Sequence, residues 1–234
     1  EAQLLDHDWI NEADDSSNNT KWKTYSDVGK RSVGGFAGWA APNDFVNENV
    51  SEDDGHEYDL MTCCSAAGTR ALFLAWSNIV TEKNGRVYVN LLLNKTSDLL
   101  DVKSYLPHEG KVVLELNQDI KELMFRIPDW VNFSEVRLNK SQNDFIKPEQ
   151  WVDNFIKIFN VKQGDTITVT FPVRKNKTKE IAWDKEYMVK WQADEVVSIS
   201  PEGKYYPLYS HRQVYDKAPL TEREYLNIEQ KIYW

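Results

Sequence analysis

Two cysteines stand side by side at Cys63 and Cys64, and the chain has no other thiols. A thiolate is both a nucleophile and a soft metal ligand, and a bound zinc ion holds it ionised at neutral pH. The residues behind the pair, from Gly68 to Val80, are helical in period. The thiols therefore fall just before a predicted helix N-terminus, where unpaired amides and the helix dipole lower a thiol pKa. The same pair can also be read as two small buried hydrophobes at a helix start. A disulfide framework is excluded, because neighbouring cysteines close only a strained, tiny ring.

Other chemistry-bearing groups are sparse. The histidines are His7, His56, His108 and His211, and only His56 lies near the cysteines. It sits in Asp53-Asp54-Gly55-His56-Glu57-Tyr58-Asp59, a run that could hold a hard cation or polarise a sugar hydroxyl, and that also fits a solvated loop. Glu57 and Asp59 could serve as a carboxylate pair of the glycosidase type. Trp39 ends Gly35-Phe36-Ala37-Gly38-Trp39. It could stack on a sugar face, with glycines beside it that let backbone amides approach a ligand, or it could plug the space between loops. His56 and Trp39 are the candidate substrate-binding residues. No P-loop, dinucleotide fingerprint, nucleophile elbow or zinc ribbon occurs.

The elements that must position these groups fall into two portions. The first sixty residues are rich in glycine and acids and read as long connections that need a scaffold. A helix is predicted over 66–82, with Ser65 as N-cap, Asn84-Gly85 as stop, and Leu72, Trp76, Ile79 and Val80 on one apolar stripe. After Gly85 the period becomes two. Strands are predicted at 86–91, 111–116, 122–127, 154–159, 166–171, 186–191, 195–199 and 205–209, with Gly, Pro, Asn and Asp between them. That spacing predicts an antiparallel β-sandwich in which sequential neighbours pair around a shared core. The fold class is thus mainly β, preceded by a partial helical, loop-rich segment. The domain boundaries follow as 1–84 and 85–234, the last stretch forming a tail. Trp130, Trp151, Trp183 and Trp191 are assigned to sandwich packing.

Composition narrows the function. The chain has 234 residues, 41% of them hydrophobic and 28% charged, which excludes global disorder. A net charge of −9 weighs against a broad nucleic-acid or anionic-membrane surface. No apolar run approaches the roughly 20 residues of a membrane span. An aromatic content of 12% suits a large β core or a sugar-contacting surface. Sequons such as Asn94-Lys95-Thr96 are explained by chance as well as by glycosylation. Glu1 is not an initiator Met, and the opening residues resemble the middle of a domain, so the chain is expected to be a processed form or a piece of a longer protein.

A series of local matches in fixed order carries a family resemblance. It comprises Gly34-Gly35-Phe36-Ala37-Gly38-Trp39, Cys63-Cys64 with Gly68-Thr69-Arg70-Ala71-Leu72, and Val87-Tyr88-Val89-Asn90-Leu91-Leu92. Residues 101–107, Arg126-Ile127-Pro128-Asp129-Trp130, Gly164-Asp165-Thr166 and Phe171-Pro172 complete it. The series resembles the glycoside hydrolases related to bacterial β-L-arabinofuranosidase, over about residues 1–175. The resemblance implies a helical (α/α) barrel bearing the active site, followed by β-sandwich domains. It implies Cys63 as nucleophile and zinc ligand, Cys64 as a second thiolate ligand, and zinc as the cofactor of the complete enzyme. It also implies an upstream Glu-x-Cys element and an upstream general acid, whereas this chain has no third cysteine, and Ala67 stands where many relatives carry Asn.

The expectation is therefore the C-terminal portion of a retaining glycoside hydrolase, inactive as an isolated chain, whose two thiolates alone should hold zinc weakly. The alternative is a non-catalytic carbohydrate-binding or structural sandwich module. The expected partners are carbohydrate and either the missing N-terminal barrel portion or a second copy. Nucleic acid and membrane are not expected. Localisation is left open between the bacterial cytoplasm and periplasm.

Overall fold

The helix that follows the paired cysteines, α1, spans Thr62–Ser77 and is rich in Ala and Leu, both strong helix formers. Its C-terminus is closed from several directions. Ser77 Oγ and Asn78 Nδ2 donate to the Leu74 carbonyl at 3.0 and 2.8 Å. Lys95 Nζ, from a distant loop, donates to the Trp76 carbonyl at 3.0 Å and lies 4.7 Å from the centre of the Trp76 ring. These bonds satisfy carbonyls that a helix end leaves without partners, and they put a cation at the negative end of the dipole. The computed structural model describes residues 62–139, 150–182 and 185–202.

The helix ends five residues short of the predicted position 82, because Asn84-Gly85 is a hairpin turn rather than a helix stop. Strand β1 (Val80–Lys83) pairs antiparallel with β2 (Arg86–Val89), Lys83 facing Arg86. Asn84 and Gly85 have φ of 54° and 73°. Two positive φ values are what a two-residue hairpin matched to strand twist requires. Val80 and Ile79, assigned by periodicity to the helix stripe, are instead buried in the core below it.

Ten further strands follow among the described residues: β3 (Leu100–Ser104), β4 (Lys111–Leu116), β5 (Ile120–Arg126), β6 (Arg137–Asn139), β7 (Trp151–Val152), β8 (Phe155–Val161), β9 (Thr166–Thr170), β10 (Lys175–Ala182), β11 (Lys185–Gln192) and β12 (Glu195–Ser200). They form a five-stranded sheet in the order β1-β2-β5-β8-β7, a four-stranded sheet in the order β3-β4-β9-β6, and a three-stranded meander, β10-β11-β12. The architecture is mainly β, as expected. Among the described strand pairs, β2 and β5 run parallel and the others antiparallel. Sequential pairing holds throughout the meander, whereas in the two larger sheets it is limited to β1–β2, β7–β8 and β3–β4. The chain passes from β4 to β5 through residues 117–119 and thereby changes sheet.

The core explains the sandwich. Val112, Leu114 and Leu116 alternate inward along β4, as do Ile167 and Val169 along β9. Val87 and Val89 of β2, Leu123 and Phe125 of β5, and Ile156 and Ile158 of β8 meet them from the other sheet in one contiguous cluster. Phe125, Leu114 and Ile156 are completely covered. Period-two alternation places each of these side chains on the inner face. Met124, of opposite parity, is also buried, as suits a strand central to its sheet.

One close approach ties the loop before β4 to the end of β9. The Phe171 amide donates to the Gly110 carbonyl at 2.8 Å. A Cβ on Gly110 would lie 1.8 Å from the Phe171 carbonyl oxygen, so the contact requires glycine. The meander is joined to the sandwich by Gln192, whose Nε2 donates to the Pro107 carbonyl at 2.9 Å. It is joined again by Trp130, whose Nε1 donates to Asp194 Oδ1 at 2.6 Å.

Candidate functional site

Cys63 and Cys64 are the second and third residues of α1. They lie in the first turn, whose amides lack partners within the helix and carry the positive end of its dipole. Sequence reasoning places the pair just before the helix, with Ser65 as N-cap; the helix instead begins four residues earlier than the predicted 66, so both cysteines and Ser65 lie inside it. Cys64 is half-buried. The side chain of Cys63 lies outside the described residues, as do Trp39, His56, Glu57 and Asp59. Successive residues of a helix project about 100° apart. Two adjacent helical thiols therefore converge on one ion only if a side chain swings or the first turn opens.

Among the described residues, no group of three or more His, Cys, Asp or Glu side chains could hold a metal ion. A structural zinc site needs about four donors. The described donor set is thus too small for zinc by itself. Among the same residues, no helix is long and apolar enough to cross a membrane.

The helix carries a second feature. Leu72, Phe73, Leu74 and Trp76 are exposed, Phe73 at 61%. The Phe73 and Trp76 rings lie 6.3 Å apart. Sequence periodicity places Leu72 and Trp76 on one stripe, and the structure leaves them as an apolar face in contact with solvent. A patch of this kind on an otherwise well-packed unit marks a contact surface.

A second concavity lies at the seam between sandwich and meander. Arg126 ends β5, Ile127 turns into the core at 1% exposure, and Pro128, with no amide hydrogen to offer, stops the ladder. The Val131 amide donates to the Pro128 carbonyl at 3.0 Å, closing a turn that lifts Trp130 to the seam. Its ring meets Phe171 edge to face at 5.9 Å. The partner of its N–H, Asp194, sits in the tight turn between β11 and β12. Ala193 beside it has a left-handed φ of 53°, and its amide bonds the Arg174 carbonyl at 2.9 Å. A left-handed non-glycine residue is uncommon and is held there by its surroundings.

Trp130 lines two adjoining clefts. The larger has a volume of about 470 Å³ and is lined in part by Arg126, Pro128, Asp129, Asp194 and Glu195. The smaller, about 200 Å³, is lined by Arg174, Asn176, Thr178 and Trp191 as well as Trp130 and Asp194. Trp191 is oriented by its N–H, which donates to Thr178 Oγ1 at 2.9 Å. Sequence reasoning assigned Trp130 and Trp191 to packing alone. Trp130 does pack against the core, but it also walls both clefts. Trp151 packs against the core too, and Trp183 lies outside the described residues.

No protein-family model matches the chain, and no curated protein matches it. Among solved structures, the chain is similar to a GH127 β-L-arabinofuranosidase from Geobacillus stearothermophilus T6, at 18% identity and a TM-score of 0.44 over 62% of this chain and 26% of that one. It is similar to a protein described as a glycoside hydrolase, at 21% identity and a TM-score of 0.44 over 58% and 25%. It is also similar to another GH127 β-arabinofuranosidase, at 19% identity and a TM-score of 0.48 over 60% and 26%. The matched region spans about a quarter of the length of each of those chains.

Proposed function

We propose that the chain is the C-terminal portion of a retaining glycoside hydrolase whose nucleophile is Cys63. The observation that supports this reading best is the placement of the double cysteine in the first turn of a helix that leads into a β-sandwich. That is the order of parts implied by the motifs from Gly34-Gly35 through Cys63-Cys64 to Arg126-Ile127-Pro128-Asp129-Trp130.

The chemistry follows from the thiol. The thiolate attacks the anomeric carbon, the bond from that carbon to the leaving oxygen breaks, and a carboxylic acid protonates the departing oxygen. Water then displaces sulfur from the same carbon, and the two inversions give net retention. Helix amides and dipole at the first turn favour the ionised thiol that begins the sequence. Trp39 and His56 are assigned to sugar contact. In a complete enzyme Cys63 and Cys64 would supply two of the donors for a zinc ion that would keep the thiolates ionised, and the remaining ligands and the general acid would come from elsewhere in the barrel. The chain alone is then inactive. The apolar face of α1 is the surface that the rest of the barrel, or a second copy of the chain, would cover.

Thiol reactivity tests the reading. Alkylation of the intact chain by iodoacetamide, followed against pH and resolved by peptide mass, should give Cys63 an apparent pKa clearly below the ordinary thiol value of about 8.5. In parallel, the chain should not hydrolyse aryl β-L-arabinofuranosides. A Cys63 pKa at or above the ordinary value would remove the nucleophile. Turnover by the chain alone would overturn the assignment of the acid to another part of the protein.

A further inference from the structure

We infer that the seam at Trp130 is a second, non-catalytic carbohydrate site that takes a neutral mono- or disaccharide. It lies outside the thiol chemistry and draws on the proposed function only for the choice of sugar as the ligand class.

The larger cleft, at about 470 Å³, falls within the roughly 300–1,000 Å³ common for small-molecule sites. Its aromatic wall is fixed before any ligand arrives. The Trp130 N–H is bound to Asp194, its ring is set against Phe171 at 72°, and its base packs on the core. A ring already held in place loses little freedom on binding, which favours affinity. Its π-face offers a platform for the C–H face of a sugar ring.

The polar lining selects the ligand. Arg126 and Arg174 present hydrogen-bond donors, while Asp129, Asp194 and Glu195 present acceptors. Hydroxyl groups both donate and accept, so a polyol can meet both sets at once. The two clefts together carry three carboxylates and two guanidiniums, a balance that disfavours phosphate and other anions. A hydrocarbon ligand would strip water from those carboxylates without replacing it. Two clefts that share Trp130, Ala193 and Asp194 provide room for two adjoining sugar rings.

Isothermal titration calorimetry of the whole chain with L-arabinose, methyl β-L-arabinofuranoside and xylobiose tests the site, with inorganic phosphate and tetramethylammonium as contrasts. At least one neutral sugar should bind, and Trp130→Ala should weaken it about tenfold or more. Because Trp130 also packs on Phe171, that variant could lose its fold. Arg126→Ala, which removes an exposed side chain, supplies the second arm and should weaken the same sugar with an unchanged circular dichroism spectrum. Three results would overturn the site: no binding of any of the neutral sugars by the folded wild-type chain, binding of tetramethylammonium or phosphate in their place, or affinity that survives Arg126→Ala but is lost in Cys63→Ala. The last would move the sugar to the thiol end. Cys63 alkylation is read separately, so failure of the seam and failure of the proposed nucleophile remain distinguishable.

Discussion

Replacing Gly110 by alanine should destabilise the sandwich more than any single methyl group would suggest. The added Cβ would lie 1.8 Å from the Phe171 carbonyl oxygen and 2.9 Å from its carbonyl carbon, both backbone atoms that cannot rotate away. An acceptable C···O contact is about 3.3 Å, so the two strands of chain must part by roughly 1.5 Å. That movement breaks the 2.8 Å hydrogen bond from the Phe171 amide to the Gly110 carbonyl, a loss of about 1 kcal/mol. Overpacking of the surrounding core adds about 1–3 kcal/mol. The expected total is about 2–4 kcal/mol. With a urea slope of roughly 2 kcal/mol/M, the unfolding midpoint should fall by about 1–2 M. Gly85→Ala is the matched comparison. Gly85 has φ of 73° and open space around its would-be Cβ, so the change carries only the left-handed backbone cost of about 1–2 kcal/mol. Near-UV circular dichroism gives a second readout, because Phe171 touches the Trp130 ring. A Gly110→Ala midpoint equal to wild type, or higher than that of Gly85→Ala, would refute the steric argument.

Two further expectations concern charge and association. Lys162 Nζ lies 2.7 Å from Asp119 Oδ2, and this hydrogen bond, with the Gln163 amide, holds the Asp119 carboxyl below its ordinary pKa while raising that of Lys162. The carboxylate's contribution to stability is present above its unfolded pKa and lost as pH falls through the lower folded value. The lysine's is present below its unfolded pKa and lost as pH rises through the higher folded one. Carbon-detected NMR should show Asp119 titrating lower in wild type than in Lys162→Ala, and equal midpoints would dismiss the pairing. The exposed Leu72, Phe73 and Trp76 should make the chain self-associate, and Phe73→Glu should weaken association at least about tenfold, since a large apolar side chain contributes about 1.5–3 kcal/mol when buried. Sedimentation showing a wild-type monomer at high concentration would count against that face as a contact.

Much of the sandwich was legible where one face of a strand meets the core and the other meets water. The predicted 111–116 is β4 without change, and 154–159 and 166–171 lie within a residue or two of β8 and β9. Alternation failed where both faces are polar. The strand β10, Lys-Asn-Lys-Thr-Lys-Glu-Ile-Ala, has no apolar period and owes its existence to pairing with β11. Strands as short as β6 and β7 offer too few residues for a period, and β3 also went unforeseen. The helix end was misplaced because Asn-Gly serves both as a helix stop and as a hairpin turn, and only the partner strand decides. Of the site, the position of the double cysteine at a helix start was readable from local sequence. The binding role of Trp130 was not, since the group that orients its N–H, Asp194, lies 64 positions further along the chain. The strand predicted at 205–209 and the tail lie outside the described residues.

The clamp at the end of α1 has a geometric consequence for its beginning. The 16-residue helix is roughly 24 Å long, with the thiols at one tip and Lys95 gripping the other. Asn90 reinforces that grip: its amide bonds the Ile79 carbonyl at 2.9 Å and its side chain bonds the Asn78 carbonyl at 3.0 Å. The helix is a lever arm whose fulcrum is built from the loops of the sandwich. A tilt of only about 5° at the fulcrum would carry the sulfurs through roughly 2 Å, and misplacing a reacting atom by about 1 Å can lower a rate about a hundredfold. Wherever the sulfurs act, the aim is therefore set some twenty-odd ångströms away, by a lysine and an asparagine that never approach them.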